Sequence, residues 1–102
     1  MLELLKHEEE RPGQVIDRTF IEQQSRGFDD FLSDLKATNV DQALQDCGID
    51  PMLIKEVGAL LSNHSRIISC WAMGITQHKH AVNNVREIVN LHLMRGAVGK
   101  PG

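Results

Sequence analysis

Apolar residues recur with a helical period along most of this chain. Phe28, Phe31, Leu32 and Leu35 fall at i, i+3, i+4 and i+7, which predicts a helix over about 28–37 with one buried stripe. Val40, Ala43, Leu44 and Cys47 repeat that spacing. Thr38 or Asn39 caps this second helix and Gly48 lies just past its end, so Cys47 is expected in the core. Asp50-Pro51 pairs a cap with proline at the first helical position, and the helix it opens runs to about Ser62. Ile54, Val57 and Leu61 should face inward, with Lys55 and Glu56 outward. Gly58 costs about 1 kcal/mol against alanine inside a helix and marks close packing against a neighbour. Asp17 caps a shorter helix through Gln24, stopped by Gly27. The longest pattern runs from about His78 to Arg95. Val82, Val85, Val89 and His92 lie near one face, Ile88, Leu91 and Met94 widen the apolar arc, and Gly96 and Gly99 stop it.

One stretch breaks the period. Arg66-Ile67-Ile68-Ser69-Cys70 is short, apolar and β-branched, and reads as a buried strand entered through the Asn63-His64-Ser65 turn. A second strand is expected near Val15. Trp71 to His80 then joins the strand to the last helix. A strand, a polar turn and a helix can present backbone N–H groups to an anionic ligand. Gly74 permits a sharp turn or close approach of a ligand, and Thr76, Gln77 and His78 place donors beside it. From spacing alone, these polar residues serve equally well as ordinary helix caps. The fold class expected is therefore α/β and helix-rich: about five helices with one or two strands, a Rossmann-like piece.

Length and composition narrow the classes. A chain of 102 residues is at most one domain with a modest core. With 41% hydrophobic and 25% charged residues it reads as globular rather than disordered. A net charge of −3 gives no electrostatic footprint for nucleic acid, and no apolar run approaches the roughly 20 residues of a membrane span. Met1-Leu2-Glu3-Leu4-Leu5 turns acidic at Glu8-Glu9-Glu10, unlike a signal peptide. Two lone cysteines suggest reduced thiols and a cytoplasmic setting. Residues 1–14 are expected to be a mobile N-terminal segment, ended by Arg11-Pro12-Gly13, and 15–102 a single helix-rich α/β unit. Lys100-Pro101-Gly102 leaves no terminal element, so the unit is expected to be truncated at Gly102.

No complete catalytic constellation is visible. Asp29 and Asp30 sit in a first helical turn, where the dipole favours them. His78 and His80 are two apart and match no zinc spacing, so no metal ligands are assigned. His92, among apolar helix positions, reads as a packed histidine. Cys70, in an apolar strand, should have a raised thiol pKa. The nucleophile elbow, P-loop and dinucleotide glycine motifs are absent from the sequence.

The run from Cys70 through Trp71-Ala72-Met73-Gly74-Ile75-Thr76-Gln77 to His80 carries a resemblance. It continues through Asn83-Asn84-Val85-Arg86, Ile88-Val89-Asn90-Leu91 and Leu93 to Gly102. This block resembles one segment of the molybdopterin oxidoreductases, and within them the formate-dehydrogenase-like alpha subunits. Ile16-Asp17-Arg18-Thr19-Phe20-Ile21 and Gly27-Phe28-Asp29 resemble that family's approach to the segment. The resemblance implies that the chain is part of a larger bacterial-type redox enzyme. It also implies that Met73, Gly74 and Gln77 contact a molybdopterin guanine dinucleotide carrying molybdenum, with Thr76 and His78 nearby. An iron–sulfur cluster would belong elsewhere in the parent, whose substrate would be formate or a similarly small molecule. The partner of this chain would then be the remainder of that polypeptide, and the chain alone is expected to be inactive. The competing expectation is a self-contained helical module that binds a protein partner through its apolar faces.

Overall fold

The computed structural model describes residues 1–100, and among them the chain forms seven helices and no strand. These are α1 (Leu2–Glu10), α2 (Arg18–Gln24), α3 (Phe28–Ala37), α4 (Val40–Cys47), α5 (Pro51–Asn63), α6 (Met73–Thr76) and α7 (Ala81–Met94). Several starts follow from purely local chemistry. The Asp17 side chain accepts from the Phe20 amide, Asn39 from the Gln42 amide, and Asp50 from the Met52 amide ahead of which Pro51 opens α5. Each satisfies an amide that the first helical turn leaves without an intrahelical partner.

The core lies where α1, α2 and α7 meet. Leu5, Ile16, Ile21 and Met94 form its buried cluster, and the α3 stripe of Phe28, Phe31, Leu32 and Leu35 covers it as half-buried side chains. Leu4 is buried too, so the leucines of the first segment find partners within the chain, where α1 packs on α5. Gly58 permits that approach: a Cβ there would lie 2.6 Å from the Cβ of Glu3.

A polar hub fastens the ends of this arrangement. Glu8 accepts from the amides of Gly13, Val15 and Ile16 at 2.7, 3.0 and 2.8 Å, which folds the link after α1 back on itself. Arg11 donates to Asn63 and Ser62 at the end of α5, both at 2.9 Å. Arg95, only 5% exposed, donates to the carbonyls of Val15, Ser62 and His64. The Asp17 amide donates to the Met94 carbonyl, and Gly96, at φ +55°, lies against the Asp17 carboxylate, where a Cβ would come within 2.5 Å of Oδ2.

The expected α/β class is overturned, and with it the Rossmann-like arrangement. Residues 66–70 have no strand assignment, and Ile68 is 86% exposed where a buried strand was expected. A strand is stable only when a neighbour takes up its backbone donors and acceptors. The other candidate, near Val15, is instead a turn held by Glu8, so among the described residues the β-branched run has no strand to pair with. Cys70 is therefore exposed rather than in an apolar strand. Cys47 is also exposed, and Val57 is 49% exposed, because α4 does not close onto α5. The last helix begins at Ala81 rather than His78, since α6 and a turn occupy the intervening residues. The expected end at Gly102 lies outside the described residues.

Candidate functional site

The stretch singled out by sequence is an exposed shelf on one side of α7. Residues 66–70 reach it without regular secondary structure, and Ser69 pins them to α7 through a 2.7 Å hydrogen bond between its Oγ and His92 Nε2. The four residues of α6 then make a single turn: the Gln77 amide donates to the Met73 carbonyl at 2.8 Å, and the Thr76 hydroxyl donates to the Ala72 carbonyl at 3.4 Å. A single helical turn is marginal alone, and this one leans on α7.

All five sequence-derived site residues stand together on this shelf and all are exposed. Met73 is 66% exposed, and Trp71, just before it, is 43% exposed, so two large apolar side chains stand beside the polar ones. Nothing lies within 4 Å of the position a Gly74 Cβ would take, and its φ is not in the left-handed region. Neither turn geometry nor packing within this chain requires glycine there. The amides of Met73 and Gly74 take no backbone acceptor among the described residues. His78 Nδ1 accepts from the His80 amide at 3.2 Å, which leaves Nε2 as an outward donor in the neutral ring. Gln77 adds a carboxamide with both donor and acceptor. The shelf can thus bind through amide and imidazole donors and cover a flat apolar face with Met73 and Trp71; it contains no paired acid and base.

Metal ligation draws no support from the geometry. The rings of His78 and His80 lie 6.0 Å apart between centroids, and no group of three or more His, Cys, Asp or Glu comes together among the described residues. Sequence reading missed the Ser69–His92 pair, because the two residues are 23 apart and no local pattern joins them. It also read Arg95 only as the end of a helix. Burial pushes the Arg95 guanidinium below its ordinary pKa, and nearby Arg11 adds to that, while Asp17 and Glu8 act in the other direction. For Glu8, burial alone would raise the carboxyl, but the amides of Gly13, Ile16 and Val15, with Arg18, bring it below its ordinary value.

Comparison with known proteins gives the shelf a context. The chain is 40% identical over 99 residues to an uncharacterized oxidoreductase of Mycobacterium tuberculosis, covering 97% of this chain and 13% of that protein. It is 37% identical over 92 residues to the protein YdeP of Escherichia coli, covering 90% of this chain and 12% of that one. It is 33% identical over 88 residues to a formate dehydrogenase alpha subunit of Methanocaldococcus jannaschii, covering 86% of this chain and 13% of the subunit. The chain therefore spans about an eighth of the length of these relatives, and the resemblance to formate-dehydrogenase-like oxidoreductases read from its residues stands. No family model and no solved structure matches it.

Proposed function

We propose that this chain, related over nearly its whole length to one segment of formate-dehydrogenase-like oxidoreductases, forms one wall of a molybdenum cofactor site in a longer polypeptide. One observation carries the reading: the Trp71–His78 shelf is pinned at Ser69 and along α7, yet its donors and its Met73 face are left uncovered. That donor set fits a molybdopterin guanine dinucleotide, whose fused rings and diphosphate need amide donors, an apolar lid and a backbone that can be approached closely.

In this role the amides of Met73 and Gly74 and the side chains of Gln77 and His78 would hold acceptor atoms of the cofactor. Met73 would cover its ring face, and Gly74 would let it approach where any side chain would intrude. Thr76, bonded back to the Ala72 carbonyl, would keep the turn in register. The bound group supplies two-electron redox chemistry at molybdenum. This chain contributes orientation and exclusion of water, and no acid, base or nucleophile of its own, so it is expected to be inactive alone. Formate, or a similarly small molecule, is the proposed substrate of the parent.

The test is made on source cells. The native polypeptide is captured with an antibody raised against this chain, then sized and assayed for molybdenum. A polypeptide several times larger than 11.4 kDa that carries molybdenum supports the reading. A native polypeptide of 11.4 kDa without molybdenum refutes it. That second result would favour a self-contained helical module.

A further inference from the structure

A second concavity lies away from the shelf and shares no residue with it. It is a groove of about 670 Å³ between α1, α3, α4 and α5. Two of its walls are helical stripes. Val40, Leu44 and Cys47 follow i, i+4, i+7 along α4, and Leu53, Val57 and Leu61 follow i, i+4, i+8 along α5. Neither stripe is closed by the other: Val40, Leu53 and Val57 are 41%, 55% and 49% exposed. Of the charged residues that line it, Lys6, Asp41 and Lys55 are exposed and Glu3 is half-buried in an ion pair with Lys6, so the groove has an apolar floor and a polar edge.

We infer that this groove receives an amphipathic helix from the same polypeptide, outside these 102 residues. The two stripes select a helix. A rod whose apolar side chains recur at i, i+3, i+4 and i+7 interdigitates with two such stripes at an axis separation of about 8–10 Å. A small polar ligand would need convergent buried polar groups to orient it, and the floor supplies none. Tethering selects the source. Seven-eighths of the length of the relatives lies outside the matched segment, and a segment joined through the chain competes at about millimolar effective concentration against any free partner. The inference rests on the reading that this chain works within a longer polypeptide, but it does not depend on the cofactor.

Cys47 is the reporter, because its thiol lines the groove and is exposed in this chain. The native full-length polypeptide and the 102-residue chain are pulsed with N-ethylmaleimide, and Cys47 modification is read by peptide mass spectrometry. Cys47 should react at least about tenfold more slowly in the full-length protein, as expected for a site opened only by local unfolding. Val57→Glu should restore much of its reactivity there and lower the melting temperature of the full-length protein. The same substitution should leave the melting temperature of the short chain within about 2 °C, since the side chain is already half exposed in it. Equal reactivity of Cys47 in both proteins overturns the inference. So does protection in the short chain that grows with concentration alongside a dimeric mass, which would assign the groove to a second copy. Molybdenum measured on the same full-length sample decides the cofactor reading separately.

Discussion

Replacing Arg95 by methionine should cost more stability than any other single change away from the hydrophobic cluster. The guanidinium serves three backbone carbonyls, Val15, Ser62 and His64, the last at 2.7 Å, and none of the three has another donor among the described residues. A buried acceptor left without a partner costs about 1–3 kcal/mol, so the gross loss is large. Against it stands the relief of a buried cation that makes no ion pair, since the desolvation of such a group costs several kcal/mol. Methionine keeps most of the stem volume, so cavity formation adds little. The expected net loss is about 2–4 kcal/mol, or roughly 10–20 °C in melting temperature for a domain of this size. Urea denaturation followed by circular dichroism measures it directly. Arg95→Lys should lose nearly as much, because one ammonium cannot reproduce the planar fork that reaches separate carbonyls. A loss below about 1 kcal/mol for Arg95→Met would refute the reasoning and show that the three carbonyls find water or new donors at little cost.

Three further outcomes are expected. The Glu8 carboxyl has its pKa lowered in the folded chain from an ordinary value of 4.5, so the unfolded chain binds the extra proton first as pH falls. Its contribution is complete above pH 4.5 and is lost as pH drops through the lower folded value. Urea titrations at stepped pH should show that acid limb, and Glu8→Gln should flatten it. Gly58→Val places a side chain where even a Cβ would meet Glu3 at 2.6 Å, so α1 must lift from α5 at a cost of about 1–3 kcal/mol, again read by urea denaturation. Gly74→Ala should leave the stability of this chain unchanged or slightly raised, because nothing lies within 4 Å of the added methyl. In the full-length polypeptide the same change should lower the molybdenum retained per protein. Unchanged molybdenum there would remove Gly74 from the proposed contact.

What could be read in the sequence divides along the range of the interactions. Helix starts at Asp17, Asn39 and Asp50-Pro51 were legible because a cap and its amide sit two or three residues apart. Gly58 was legible as a point of close approach for a similar reason: glycine inside a helix is a local cost that needs a local explanation. The run 66–70 was misread because β-branched residues favour a strand only when another strand is present to pair with. That condition is non-local, and no strand among the described residues meets it. Cys47 was placed in the core because periodicity shows which residues share a face, not whether anything covers that face. Within the candidate site, the donors of 73–78 could be read from one continuous stretch, whereas the Ser69–His92 pin that steadies them could not. Arg95 was the largest omission. Its partners lie 31, 33 and 80 residues away, and an arginine at the end of a helix ordinarily needs no explanation beyond the dipole.

The reach of Arg95 also bears on how the chain folds while it is being made. Helices α1 to α5 can form as they emerge, since their caps and stripes are local, but the carbonyls of Val15, Ser62 and His64 wait for a donor that is synthesised late. Closing loops this long is slow compared with forming a helical turn. Until position 95 leaves the ribosome, those three carbonyls therefore lack the guanidinium that serves them in the folded chain. A docking of α7 displaced by one turn would bury the guanidinium without those acceptors, at a cost of several kcal/mol. A residue that completes the native arrangement would thus also disfavour a misregistered one.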